Sequence, residues 1–474
     1  MTSRITLNVW VSDLTFPGYM DRWMKLAAAF EKAHPDYHVE IKGLGFFTGP
    51  AEIAEAVAAG HGPAVAEYYF YMAPVARDTL APDGRPQYTS IERAIGGRTE
   101  ILGEPVVIDD VISGMREYYT YGGDLTSMPS IGTTSLLYAN TALLEAAGVQ
   151  EMPGTWDEVE AACELVAGQR GGPAHAITWS NHGMFFQQAI AAQGGLLCDN
   201  DNGRSGRAAA VDLASEQVLA WASWWRRLHR AGHYAYTGKI PDWEGNFRLF
   251  AEQQVALRIS SSNDVNYMAQ AANAGGFGVV ASRFPYNGRV PYAGNTIAGT
   301  SLWLAGGLDE ATQDGALAFL QFAHNPRNAA DRHKETSFLP VTQASYDLLA
   351  AEGWFAQHPY HKAACDQLSQ YPGQDAPGAE GTHGPPPSRG ALFGDFAGNQ
   401  DVMTRAMGEV LTAGADPAAR FAEATIEAQL LLDDYYADCA GTGPRSLSSL
   451  RVEYFKDVES YSGADLENVV QLKS

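Results

Sequence analysis

The chain is poor in cysteine and in basic residues, and it lacks long apolar runs. Four cysteines, Cys163, Cys198, Cys365 and Cys439, stand far apart. None forms a C-x-x-C pair or has a histidine at metal-ligand spacing, so the sequence points to buried thiols rather than a zinc or redox motif. Lys and Arg number 32 against 55 Asp and Glu, a net charge of −23. A surface this acidic repels phosphate backbones and anionic lipid heads, which excludes nucleic-acid or membrane-surface binding as the main task. No stretch reaches the ~18 apolar residues of a membrane-spanning helix. The opening "MTSRITLNVWV" has one Arg and then strand-like sequence. It gives two expectations, a cytoplasmic chain or an exported one whose leader has been removed.

Catalytic motifs are equally scarce. There is no G-x-S-x-G, no phosphate-binding P-loop, no H-E-x-x-H, and no G-x-G-x-x-G after a strand. "YTGKIP" (236–241) has Gly-Lys without the flanking residues of a phosphate loop, and reads as a plain loop. "DNDNG" (199–203) hints at a calcium loop, but its glycine comes one position early and no closing Glu follows, so a tight turn is expected. No metal and no cofactor are expected. His182, His333 and His383 have no carboxylate or cysteine beside them in sequence.

What is present is an aromatic-rich globular sequence of 474 residues, 46% hydrophobic and 11% aromatic, long enough for two or three lobes. "ITLNVWV", "HVEIKGL" and "PAVAEYYFY" read as strands. Between them Met20, Trp23, Met24, Ala27 and Phe30 fall at helical spacing, and Pro35 stops that helix. This alternation predicts βαβ units on a mostly parallel sheet. Further along, Thr155 and Glu158 form a capping box, Gly232 ends a helix, and Asn325-Pro326 starts one. The Pro/Gly-rich stretch 371–390 is expected to be a long loop or lid. The last 30 or so residues have their own polar character.

Aromatic and small polar residues gather at element junctions: Trp10, Ser12 and Asp13; Tyr68 to Tyr71; Trp179, Ser180, Asn181 and His182; Asp242 and Trp243; Ser260 to Val265; Ala298 to Ser301. In open α/β sheets ligands bind beyond the carboxyl ends of strands. Ring faces stack on sugar C–H groups, while short polar side chains bond hydroxyls, a mixture that needs no nucleophile.

The segments "AGTSLWLAGGLDEATQDGALAFLQFAHNPRNAADRHKETSFLPVTQASYDLL", "LNVWVSD…AAAFEKAHPDYHVEI", "SLLYANTALLEAAGVQEMPGTWDEV" and "FAEQQVALRISSS", in this order, resemble the extracellular solute-binding proteins of ATP-driven sugar importers. The likeness is strongest to the branch that binds glycerol-3-phosphate and glycerophosphodiesters, and it spans about residues 5–440. It implies an α/β, periplasmic-binding-protein-like fold of type II: two α/β lobes joined by hinge strands around a cleft, plus a C-terminal tail. The expected division is 1–127 with 283–324, 128–282 with 325–442, and 443–474 as the tail.

Position by position, the resemblance implies ligand contacts from Trp10, Ser12, Tyr69, Phe70, Thr133, Thr134, Asn181, Met184, Ser261, Ser262, Gly299, Thr300 and Phe338. Asp13, Trp179, His182 and Trp243 join them from the junction pattern. The phosphate-gripping arginine of those relatives is here Leu392, with Arg389 nearby. Leucine cannot clamp a phosphate, so a neutral carbohydrate or larger polyhydroxylated guest is expected, with an anionic guest as the alternative if Arg389 takes the vacated place. The implied partners are that small molecule and the permease subunits of an ABC importer, with a monomeric chain outside the membrane, lipid-anchored or periplasmic, whose tail makes further contacts. Two competing expectations stand beside this. One is a cytoplasmic enzyme on the same fold, with Asp13, His182, Asp242, Glu244 or Asp395 as acid or base. The other is a sensor or scaffold.

Overall fold

A computed structural model describes residues 4–14, 18–45, 48–368 and 390–440. The expected lid, apart from Gly390, and the expected tail lie outside the described residues, as does Arg389.

Among the described residues the chain builds two main sheets and two small two-stranded ones, Glu100–Ile101 with Glu104–Pro105 and Thr120–Tyr121 with Asp124–Leu125. In the first strand, Ile5–Asp13, Leu7, Val9 and Val11 alternate to one face and are fully buried. The helix Tyr19–Ala33 lays Tyr19, Trp23, Leu26, Ala27 and Phe30 over that face, and Phe30 meets Phe319 of helix Glu310–Ala323 edge-on at 5.3 Å. Strands Tyr37–Gly45 and Val65–Tyr69 flank the first strand in parallel. Strand Ala298–Ala305 then pairs antiparallel with Val65–Tyr69, and Met128–Thr133 and Tyr88–Thr89 pair antiparallel with it in turn, completing six strands. The smaller sheet runs Ile177–Thr178, Leu257–Ser261, Ser135–Asn140, Val279–Arg283. In it only the first pair is parallel.

The sheets are therefore mixed, where the sequence pattern suggested mostly parallel ones. The βαβ spacing holds for the N-terminal strands, but strand Ala298–Ala305 returns from the smaller sheet and enters the larger one reversed. The chain crosses between sheets at a single residue, Thr134, and again over 284–297. A third stretch, Leu339 to Val341, lies on the larger-sheet side, where Leu339 N donates to Gly132 O at 2.9 Å and Ile112 N to Val341 O at 3.0 Å. The structure thus has the two-lobed α/β architecture of type II binding proteins.

Local signals in the sequence match their elements. Thr155 and Glu158 form the capping box of helix Trp156–Gly168, and Asn325 caps Pro326–Thr336. "DNDNG" is a left-handed turn: Asn200, Asp201 and Asn202 have φ of 51°, 54° and 54°, a region Asn and Asp tolerate better than other side-chained residues. Asn202 Oδ1 accepts from Leu197 N at 2.8 Å and Asp199 Oδ1 from Ala209 N at 2.7 Å, which closes the turn on itself. Among the described residues no group of three His, Cys, Asp or Glu is placed to hold a metal, and no helix is long and apolar enough to cross a membrane. None of the cysteines is in a disulfide; three are buried and Cys439 is half-buried.

Candidate functional site

The larger sheet contributes an aromatic rim around a buried acid. Glu67 lies two residues before the strand end at Tyr69 and is 3% exposed. Ser12 N donates to its Oε2 at 2.8 Å, and the Thr300 hydroxyl donates to Oε1. Burial pushes its carboxyl above the usual range, and these bonds pull against that push. Thr300 is set by Gly299, whose φ of +146° suits glycine and where a Cβ would collide with the Ile131 carbonyl. Beyond Glu67 the chain turns through Tyr69, Phe70 and Tyr71; Tyr69 is half-buried and its ring lies 5.1 Å from that of Phe70. Phe338 meets Tyr19 edge-on at 6.5 Å beside this rim. Trp10 and Asp13 are half-buried on the first strand, and Lys42 sits 4.0 Å over the Trp10 ring.

The crossing at Thr134 is pinned from several sides. Thr134 N donates to Ser262 Oγ at 3.1 Å, and Ser262 N donates to Thr134 O at 2.7 Å. Gln367 Nε2 donates to Thr134 Oγ1 at 2.6 Å, and Ser135 N donates to Gln188 Oε1 at 2.8 Å. Thr133 Oγ1 reaches Ala298 O at 3.5 Å. Thr133, Thr134 and Ser262 thus brace the pivot, while Ser261 is half-buried, with its carbonyl taking the Tyr138 hydroxyl at 2.8 Å.

The smaller-sheet lobe supplies the opposing wall. His182 caps helix Gly183–Ala192 by accepting from Met184 N at 3.0 Å. Its ring packs 5.5 Å from Trp243, and burial alone lowers its pKa to about 3, so it stays neutral. Asn181 Nδ2 donates to Thr404 O at 2.8 Å. Gly183 lies so close to Gln400 that a Cβ would sit 2.7 Å from its Cα, which draws helix Phe396–Thr412 onto this helix. Phe396 in turn lies 6.2 Å from Phe70, so the two walls converge. Leu392, 4% exposed, is held through its N–H on Asn202 O at 2.9 Å.

Trp179 corrects the sequence expectation. It is fully buried, stacked on Trp224 at 5.7 Å and tilted against Trp225 at 4.9 Å, in the core of the smaller-sheet lobe. Its Ser-Asn-His neighbours made it resemble a rim residue, but its own ring turns inward. The carboxylates considered as acids or bases have local tasks. Asp242 and Asp395 cap helices by accepting from Gly245 N at 2.9 Å and Gly398 N at 3.1 Å, and Glu244 pairs with Arg248 at 2.6 Å. Burial raises Asp395 to about 7.

Sequence reading missed Glu67, Gln187, Gln188 and Arg332, a buried guanidinium whose charge acts on the Glu67 carboxyl and whose Nη1 lies 3.5 Å from His324 Nε2. Gln187 accepts from Ala391 N at 3.1 Å, and the Nε2 atoms of both glutamines are buried without a partner, as are Asn295 Nδ2 and Thr296 Oγ1. The available signal was a pair of amides inside the otherwise apolar "GMFFQQAIAA".

Residues 25–363 match the family model of bacterial extracellular solute-binding proteins. The sn-glycerol-3-phosphate-binding periplasmic protein UgpB of Salmonella typhimurium is 26% identical over 363 residues, covering 73% of this chain and 77% of that protein. Its Escherichia coli K12 counterpart is 27% identical over 257 residues, 53% of this chain and 56% of that protein. Among solved structures, the sugar-binding protein MalE from Xanthomonas citri superposes with a TM-score of 0.72 at 18% identity, over 92% of this chain and 100% of that one. The cyclic α-maltosyl-1,6-maltose binding protein of Arthrobacter globiformis gives 0.71 at 16% identity, over 91% and 100%. UgpB from Mycobacterium tuberculosis in complex with glycerophosphocholine gives 0.67 at 20% identity, over 90% and 98%.

Proposed function

We infer the function from one premise: this chain belongs to the bacterial extracellular solute-binding protein family, whose members serve transport. The chain captures a neutral carbohydrate or similar polyhydroxylated molecule between its lobes, outside the membrane, and hands it to the permease subunits of an ABC importer. Tyr69, Phe70, Phe338, Met184 and Trp243 offer ring and thioether faces, and Ser12, Thr300, Asn181 and Ser261 offer hydrogen bonds.

One observation carries the choice of a neutral guest. Around Gly390 and the Thr134 crossing, Gln187 Nε2, Gln188 Nε2, Asn295 Nδ2 and Thr296 Oγ1 are buried without partners, and position 392 is a leucine. Each such group left unpaired costs about 1–3 kcal/mol, and hydroxyls entering as the lobes part and re-close would satisfy them. They bear no charge, which supports sugars over phosphate esters.

The test is a thermal-shift panel of maltose, maltotetraose, sn-glycerol-3-phosphate and glycerophosphocholine, with mass spectrometry of the recovered compound. At 100-fold over Kd a true ligand adds about 2.7 kcal/mol, or a rise of roughly 3 °C for a chain of this length. A shift with a saccharide recovered unchanged supports the reading. A shift with only the phosphate compounds, or recovery of a converted product, overturns it.

A further inference from the structure

One edge of the seam between the lobes is closed by groups that no ligand position accounts for. Helix Ala73–Asp78 follows the aromatic rim of the larger sheet, and Asp78 at its end is 7% exposed. Arg77 grips this carboxylate from the same helix, Nε at 3.0 Å and Nη2 at 2.9 Å. Burial pushes the Asp78 carboxyl up, but Arg77, Arg207 and the Tyr435 hydroxyl outweigh it and hold the group below its usual range. Two of those three come from across the seam: Arg207 Nη2 at 3.2 Å and Tyr435 Oη at 2.9 Å. Arg207 is fastened to the smaller-sheet side through its neighbours, where Val211 N donates to Gln429 Oε1 and Leu213 N to Thr425 Oγ1, each at 3.0 Å. Gly394 packs directly on the Tyr435 ring, where a Cβ would not fit. A few residues away, the Tyr118 hydroxyl donates to Ala391 O at 2.8 Å and Arg204 ties Gly390 O to Tyr118 O.

We propose that Asp78 and Tyr435 are positioning residues: they form a reversible latch that sets the closed fraction of the lobes, and so the affinity for a guest they do not touch. Arg77 is the reason the latch can release. It neutralises Asp78 within its own lobe, so opening leaves no bare buried carboxylate, which would be prohibitive. Opening breaks the Tyr435 hydroxyl's contacts with Asp78 and with Pro74 O at 3.0 Å, the half-exposed Arg207 pair, and the adjoining Tyr118–Ala391 and Arg204 bonds, none of which leaves a bare charge. Ligand affinity scales with the fraction of molecules already in the binding-competent form, so a latch worth tenfold in closed over open is worth up to tenfold in Kd. The same segment, 390–396, carries Leu392, so the latch also fixes where that side chain stands.

The inference rests on the hinged solute-binding reading, but its test uses no ligand and so fails or succeeds separately from the choice of guest. Small-angle X-ray scattering and amide exchange would be measured on the ligand-free full chain and on Tyr435→Phe, Arg207→Met and Asp78→Asn, with Asp83→Asn, on an exposed pair with Arg85, as control. The expected result is a larger radius of gyration and about tenfold faster exchange across Ala73–Asp78 in the latch variants, at unchanged helix content, with the control like wild type. If Asp78→Asn fails to fold, Tyr435→Phe and Arg207→Met, which leave the Arg77 pair intact, decide. Unchanged scattering and exchange in those two variants would overturn the proposal.

Discussion

Acidification should unfold this protein earlier than an average domain of its size. Among the described residues, four histidines are buried and neutral. Burial lowers His182, His324 and His361 to about 3 and His333 to about 4, with the Arg332 charge adding to the effect at His324 and the His333 ring at His361. An unfolded histidine titrates near 6.5. Each group has a folded pKa below its unfolded one, so its contribution is complete above pH ~6.5 and is lost as pH falls toward the folded value. The limiting slope is about 1.4 kcal/mol per pH unit per histidine and is half that at pH 6.5, where the unfolded ring is half protonated, so four groups lose about 6.5 kcal/mol between pH 6.5 and 5. Asp395 works in the opposite sense. Its folded pKa of about 7 is above the unfolded one, so lowering the pH stabilises it and returns about 2 kcal/mol over that window. The net loss, about 5 kcal/mol, is comparable to the lower end of the whole stability of a typical domain. Urea unfolding at pH 8, 6.5, 5.5 and 5 should show the midpoint falling steeply below 6.5, with a net uptake of about three protons on unfolding. His361→Met, which removes one titrating ring from the His333–Trp354–His358 cluster, should reduce that uptake by about one. A free energy that stays flat from pH 7 to 5 would refute the assignment of these rings as buried neutral bases.

Other outcomes follow from the same geometry. Gly299→Ala should cost more than ~3 kcal/mol in thermal or urea unfolding, because it forces a side chain into a φ of +146° and against the Ile131 carbonyl. Trp179→Phe should lower stability by about 1–3 kcal/mol and leave the dissociation constant of any ligand found in the panel unchanged within twofold, as calorimetry would read. Tyr69→Ala should do the reverse, weakening that ligand at least tenfold while shifting the melting temperature little. Thr134→Val removes the hydroxyl that receives Gln367 Nε2 and should speed amide exchange around Ser135 and Ser262 about tenfold.

Much of the architecture is legible because it is written in short-range patterns. The helical spacing of Trp23, Ala27 and Phe30, the Thr155 box and the Asn325-Pro326 start all act within a few residues and appear where the pattern puts them, whereas Met24 of the same pattern is exposed and Tyr19 and Leu26 complete the buried face instead. The strand-to-helix joint at "FLPVT" is equally local: Thr342 caps Gln343–Ala351 with a second capping box, and Leu339 lies against Gly132 at the crossing. The polarity of strand Ala298–Ala305 is not local, since it depends on which sheet the chain has just left. Burial is not local either. Trp179 and Tyr69 stand in similar sequence surroundings, aromatic beside small or polar, yet one is walled in by Trp221, Trp224 and Trp225 and the other is half-buried at a strand end. Glu67 was overlooked because one acid in a strand gives no pattern; its meaning comes from Ser12 and Thr300, 55 and 233 positions away. The Asp78–Tyr435 contact, 357 positions apart, has no signature in the primary structure at all.

The placement of the cysteines has a practical consequence. Three thiols are shut inside the protein, and only Cys439 is partly open to solvent, one helical turn beyond Tyr435 on the same helix. A maleimide dye would therefore label the native protein at one site without any engineering, next to the contact whose making and breaking is in question. Its emission could then follow lobe motion in real time, as candidate nutrients are added one by one.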